Sequence, residues 1–231
     1  MNRGWIMGLA GLLAGGACGA GEWADVPRHA ARAGTAGGFE LGRFETAVAE
    51  FAEYLNGAKV ADFPETAQIR RRAGGGYAVR RGAGRQAVSE VTCAEAEAYC
   101  AWRSRESGRT VRLPTEAEWE AAARGGIDGA PYPWGWGGTA AEMARFDAEG
   151  PAVRVGAFTA NGFGLHDVAG NLYEWCAAES GMRDGPRAAR GGSWAERDPD
   201  RLKVDHRQPF AADYRGRDVG FRALREAAGN P

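Results

Sequence analysis

Past residue 126 the chain is written in short aromatic words: YPWGWGG (132–138), NGFGLHDVAGN (161–171), LYEWC (172–176), RGGSW (190–194) and VGFRAL (219–224). The aromatic side chains seek burial, yet Gly, Asn or Pro breaks the backbone every few residues. Such a stretch folds as brief strands held by turns. Gly at 36 of 231 residues leaves much backbone outside regular ladders. The first half reads differently. FELGRFE (39–45) alternates as a strand. Thr46 stands where a cap would open a helix with Val48, Phe51, Ala52 and Leu55 on one face, stopped at Gly57. Thr92 with Glu95, and Thr115 with Glu118, form capping boxes, in which each side chain satisfies the other's free backbone amide. The first opens a helix bearing Ala96, Tyr99, Cys100 and Arg103 and ending at Gly108. The second packs Trp119, Ala122 and Ala123 and ends at Gly125. Helices followed by an irregular β half predict one α+β domain.

Residues 1–20 read as a signal peptide, with Arg3, an apolar run from Trp5 to Ala14 and small residues up to Ala20. The run is shorter than the ~20 apolar residues a bilayer span needs. Lipidation at Cys18 is the competing reading. Both place the mature chain in the periplasm or outside the cell. Residues 21–38 read as a flexible lead or an irregular first strand, followed by the domain over 39–226 and a tail at 227–231. Net charge is −1, which argues against a dedicated nucleic-acid or anionic-membrane binder. The patch IRRRAGGGYAVRRGAGR (69–85) then reads as a solvated hairpin with a Gly-rich turn, with contact to an acidic partner left open. Cys93 and Cys100 lie two helical turns apart, about 10 Å, too far for a bridge limited to about 7 Å between Cα atoms. Cys176 is free to pair with either, or all three are buried thiols.

In HDVAGNLYEWC (166–176), period-two alternation puts Leu172, Glu174 and Cys176 on one face. A carboxylate between Leu and Cys is buried and needs a partner. Asp167 and exposed carbonyls nearby suit a hard cation such as calcium, which takes about six to eight oxygens; an arginine is the equal alternative. His29, His166 and His206 lack metal-ligand spacing, which argues against zinc or iron. No phosphate-binding loop, dinucleotide fingerprint or hydrolase elbow is present. Ser193 with His206 is a candidate nucleophile and base, set against a serine that only hydrogen-bonds backbone in its turn.

Together, RLPTEAEWEAAARGG, YPWGW, NGFGLHDVAGNLYEW, RGGSW and VGFR resemble, in order and spacing, the formylglycine-generating enzyme (sulfatase-modifying factor) family. FELGRFETAVAEFAEYLNG resembles that family's opening strand and helix. The resemblance spans about residues 39–225 and implies a single compact, low-regularity α+β domain related to the C-type lectin fold. It also implies a structural calcium held by the side chains of Asp167 and Glu174 and the carbonyls of Gly170 and Leu172. A second calcium is not expected, because EMARFDAEG (142–150) lacks the required Asn. The family's copper oxidases carry cysteines at the third and eighth positions after RGGS. Those positions are Glu196 and Arg201 here, and no cysteine follows Arg190. A thiolate pair is what holds soft Cu(I), so copper is not expected. Iron, which in another branch draws histidines from a second domain, is not expected either. The family's catalytic serine corresponds to Ser193. The sequence therefore predicts an exported member without the oxidase chemistry, an accessory protein that binds a small polar ligand or a partner protein. Its expected pocket is Arg190, Ser193, Trp194, Glu196, Asp198, His206 and Arg207, where Arg forks and an indole suit a polar ligand. The alternative is an oxidoreductase with altered metal chemistry.

Overall fold

Both capping boxes form as the sequence implies. In the computed structural model, which describes residues 22–27, 30, 38–178 and 185–227, Thr92 and Glu95 cap α2 (Cys93–Ser107) and Thr115 and Glu118 cap α3 (Glu116–Ala123). Gly108 ends α2 in the left-handed region at φ 68°, where glycine carries no Cβ penalty. Helix α1 (Val48–Gly57) buries Val48, Phe51, Ala52 and Leu55, the expected face. Its cap is Ala47, not Thr46: the Glu50 carboxylate accepts from the Ala47 amide at 2.8 Å. Thr46 is instead buried, its backbone paired to Phe221 and Val88.

The first and last described strands belong to one sheet. β1 (Trp23–Val26), β2 (Phe39–Gly42), β5 (Val111–Arg112) and β10 (Leu224–Glu226) form one antiparallel sheet in the order β1-β2-β10-β5. Of the two readings of the lead, its residues Trp23–Val26 take the strand, with Trp23 opposite Gly42 and Val26 opposite Phe39. β3 (Ile69–Arg71) and β4 (Tyr77–Val79) make the arginine-rich hairpin. A second four-stranded sheet runs β8 (Gln208–Phe210), β7 (Arg187–Arg190), β6 (Tyr173–Trp175), β9 (Val219–Gly220), with β6 and β9 parallel. A short helix, α4 (Ala140–Met143), stands in the long irregular stretch.

One core joins α1 and α2 to the sheets through Phe51, Tyr99, Tyr173, Trp175 and Phe221. A second packs α3 through Trp119, Ala122 and Ala123 against Leu165, Cys176 and Leu224. Strand β6 is buried on both faces, so Tyr173 and Trp175 are as enclosed as Glu174. The three cysteines among the described residues, Cys93, Cys100 and Cys176, are free and buried. Burial pushes the Cys93 thiol up to about 12 and raises those of Cys100 and Cys176. The expected signal peptide, Cys18 and His29 lie outside the described residues, and no described helix is long and apolar enough to cross a membrane.

Candidate functional site

The RGGS turn leaves β7 through two glycines at φ 93° and 74°. A Cβ on Gly192 would sit 2.5 Å from Leu202 Cδ2 and 2.9 Å from the Arg201 carbonyl oxygen. Only glycine lets the backbone pass that close. The turn buries Ser193, whose Oγ accepts from the Ala195 amide at 3.3 Å. The imidazole of His206 faces Arg201 instead, with Nε2 3.4 Å from Nη1. The Ser193–His206 pair considered from sequence is therefore not assembled.

The expected pocket residues divide into two clusters. Arg190 is buried and donates to Glu116 at 3.0 Å, and its guanidinium also reaches the Val204 and His206 carbonyls. Arg207 donates to the same Glu116 carboxylate at 2.8 Å. Both arginines are thus engaged at the N-terminus of α3, where a carboxylate is also favoured by the helix dipole. The second cluster gathers around Glu196 and Arg201. Tyr173 donates its hydroxyl to Glu196 Oε1 at 2.8 Å, and its ring lies 6.5 Å from that of His206. Arg201 meets His206. Burial, then the Glu196 hydrogen bond, raises the Tyr173 hydroxyl well above its usual range. Burial, then Arg201, lowers His206, so its imidazole is neutral at pH 7. Asp198 caps the 3-10 turn Pro199–Leu202 by accepting from Asp200 N at 3.0 Å. Trp194 is half-buried, with Nε1 on the Arg217 carbonyl.

Tyr173 was not among the residues expected here. Its hydroxyl reaches the site only because β6 passes beneath the turn.

The Asp167–Glu174 region takes the arginine alternative. Arg222 grips Glu174 at 2.7 Å, with the two side chains 0% and 1% exposed. Its remaining N–H groups donate to the carbonyls of Gly42, Arg43 and His166. Trp119 Nε1 donates to Glu174 Oε2 at 2.7 Å, so each Glu174 oxygen accepts two hydrogen bonds. Asp167 accepts from the amides of Gly156, Ala157 and Phe158. The guanidinium thus serves as the counter-charge of Glu174. Both oxygens of Glu174 and both of Asp167, the side-chain half of the expected calcium set, already accept hydrogen bonds from the protein. No group of three or more His, Cys, Asp or Glu among the described residues is placed to hold a metal.

A third buried carboxylate, Glu45, lies beside them. Its Oε2 accepts from Asn171 Nδ2 at 2.7 Å, while Oε1 has no partner. Burial, then Asp167 and Glu174, holds its carboxyl well above the ordinary range. Sequence reading missed Arg222, although an arginine inside the apolar run VGFRAL is itself a signal, since a charge so placed must find a carboxylate.

A family model described as the sulfatase-modifying factor enzyme 1-like domain matches residues 9–227. The chain belongs to that family. It is 36% identical over 161 residues to the inactive C-alpha-formylglycine-generating enzyme 2 of Bos taurus, covering 62% of this chain and 51% of that protein. It is 43% identical over 104 residues to the formylglycine-generating enzyme of Thermomonospora curvata, covering 39% and 32%. The chain thus spans about half, or less, of these relatives. The fold superposes on PvdO from Pseudomonas aeruginosa with a TM-score of 0.68 at 28% identity, over 83% of this chain and 82% of that one. CarF, at 20% identity and a TM-score of 0.66, shares the fold.

Proposed function

We propose that this protein is an exported member of the family without formylglycine-generating activity, acting as an accessory that binds a polar ligand or partner protein. One observation carries the reading. The two positions that would supply copper thiolates are Glu196 and Arg201, and both side chains are committed, one to Tyr173 and the other to His206. A carboxylate and a guanidinium do not make the soft sulfur site that Cu(I) selects. The three thiols of the domain lie elsewhere, buried and protonated at neutral pH. The half-exposed Trp194, Glu196 and His206 and the exposed Arg207 offer a mixed apolar and charged face to a partner.

Two measurements on the full chain test the loss of oxidase chemistry. Incubated with a cysteine-bearing sulfatase peptide, oxygen and Cu(I), the protein should leave the peptide mass unchanged. Anaerobic Cu(I) titration should give no stoichiometric binding, whereas the double variant Glu196→Cys/Arg201→Cys should acquire it. Turnover, or one tightly held copper in the parent, overturns the reading and favours the oxidoreductase alternative.

A further inference from the structure

The arginine-rich segment plays no part in the site above. From Gln68 to Ser89 the chain carries six arginines and no carboxylate. Two of the six are engaged: Arg80 pairs with Glu65 at 3.1 Å, and Arg71 lies over the Tyr77 ring at 5.8 Å. Arg70, Arg72, Arg81 and Arg85 are exposed, and their side chains have no partner among the described residues. Four like charges without a partner among the described residues oppose their own clustering on a chain of net charge −1.

The tail of this segment leads into a groove. Val155 N donates to the Arg85 carbonyl at 2.8 Å, Gln86 bridges to Arg154, and Ala87 N donates to the Val153 carbonyl. This antiparallel bridge sets the exposed Arg85 beside the exposed Arg154 segment. An open groove of about 570 Å³ runs there, lined by Pro151, Ala152, Val153 and Phe158 together with Arg154 and Arg145. Arg145 donates from Nη2 to the Glu149 carbonyl at 2.7 Å, but its Nε is buried with no acceptor. A buried guanidinium N–H without a partner is costly. Arg145 and Arg154 both line the groove, where a carboxylate would find charge-assisted, forked donors.

We propose that this groove binds an extended acidic peptide segment of a partner protein. An extended peptide presents alternate side chains to opposite sides. Acidic residues would meet Arg85, Arg145 and Arg154 while apolar ones lie on Pro151, Val153 and Phe158. A polyanion such as nucleic acid would use the arginines but has no need of that apolar lining. The inference is independent of the oxidase question, because it uses none of the residues around Ser193.

The test is fluorescence anisotropy on the full chain, with a labelled peptide of alternating Glu and Val. Polyglutamate, heparin and single-stranded DNA serve as competitors. The peptide should bind more tightly than all three. Arg85→Gln/Arg154→Gln should weaken it about tenfold or more, the order expected for lost charge-assisted bonds, with an unchanged melting temperature because both residues are exposed. Arg145→Lys, which keeps the charge and loses the fork, should weaken it as well. Absence of peptide binding, equal binding by the arginine double variant, or tighter binding of heparin or DNA each overturns the proposal.

Discussion

Three buried carboxylates, Glu45, Asp167 and Glu174, share the interior with one guanidinium, that of Arg222, which contacts Glu174. Arg222 neutralises Glu174 directly, the three backbone amides serve Asp167, and Glu45 is left with a single hydrogen bond. Arg222→Ala strands a buried carboxylate, and breaking such a pair costs about 3–5 kcal/mol; urea unfolding should show a loss of that size. Glu45 responds to pH in a definite direction. A carboxyl whose folded pKa is raised binds its proton more tightly in the native state. Its contribution is complete below its ordinary value of 4.5 and is lost as pH rises through the raised folded value. In Glu45→Gln that loss disappears, so the melting temperature of the variant relative to the parent should climb as pH goes from 4 to 8, roughly one unit of pKa shift giving about 1.4 kcal/mol. A constant difference would mean that Glu45 does not titrate in this window. Because the protein itself supplies hydrogen bonds to the oxygens of Glu174 and Asp167, EDTA should leave the melting temperature where it was. A fall on chelation would mean that a cation binds there as well.

At the scale of elements, the caps act locally. Thr115 accepts from Glu118 N and Glu118 returns to Thr115 N at 2.9 Å, while Arg112 holds the same carboxylate at 2.7 Å. Thr115→Ala should cost about 1 kcal/mol, read as a lower denaturant midpoint with an unchanged slope. These boxes were legible in the sequence because a cap is a contact over three residues. The cap of α1 was less so: Thr46 looks like the stronger cap, yet its backbone is claimed by Phe221 and Val88, and the start moves one residue on. The lead shows the same limit. WADV (23–26) carries no strong strand pattern, and it becomes β1 because β2 offers it a partner edge. The arginine-rich hairpin was foreseen, since its glycines mark the turn and its arginines avoid burial. The groove beside it was not, because it is built by pairing Gln86 with Arg154.

For the whole molecule, the sequence by itself determined the family, the α+β class and the absence of cysteine at positions 196 and 201. Those rest on ordered local words and on two positions, 196 and 201, that can be read without coordinates. It also located a buried carboxylate at Glu174. Only the tertiary structure decided what that carboxylate meets. Arg222 lies 48 residues further along, and nothing local distinguishes an arginine from a cation as its partner. The same holds for Ser193 and His206, near in the chain and apart in their hydrogen bonds, and for Tyr173 and Glu196, joined across 23 residues. Caps and turns are settled within a few bonds of backbone. The pairing of buried charges is settled by which distant strands the core brings together, because a charge leaving water takes the best-placed opposite charge that packing allows.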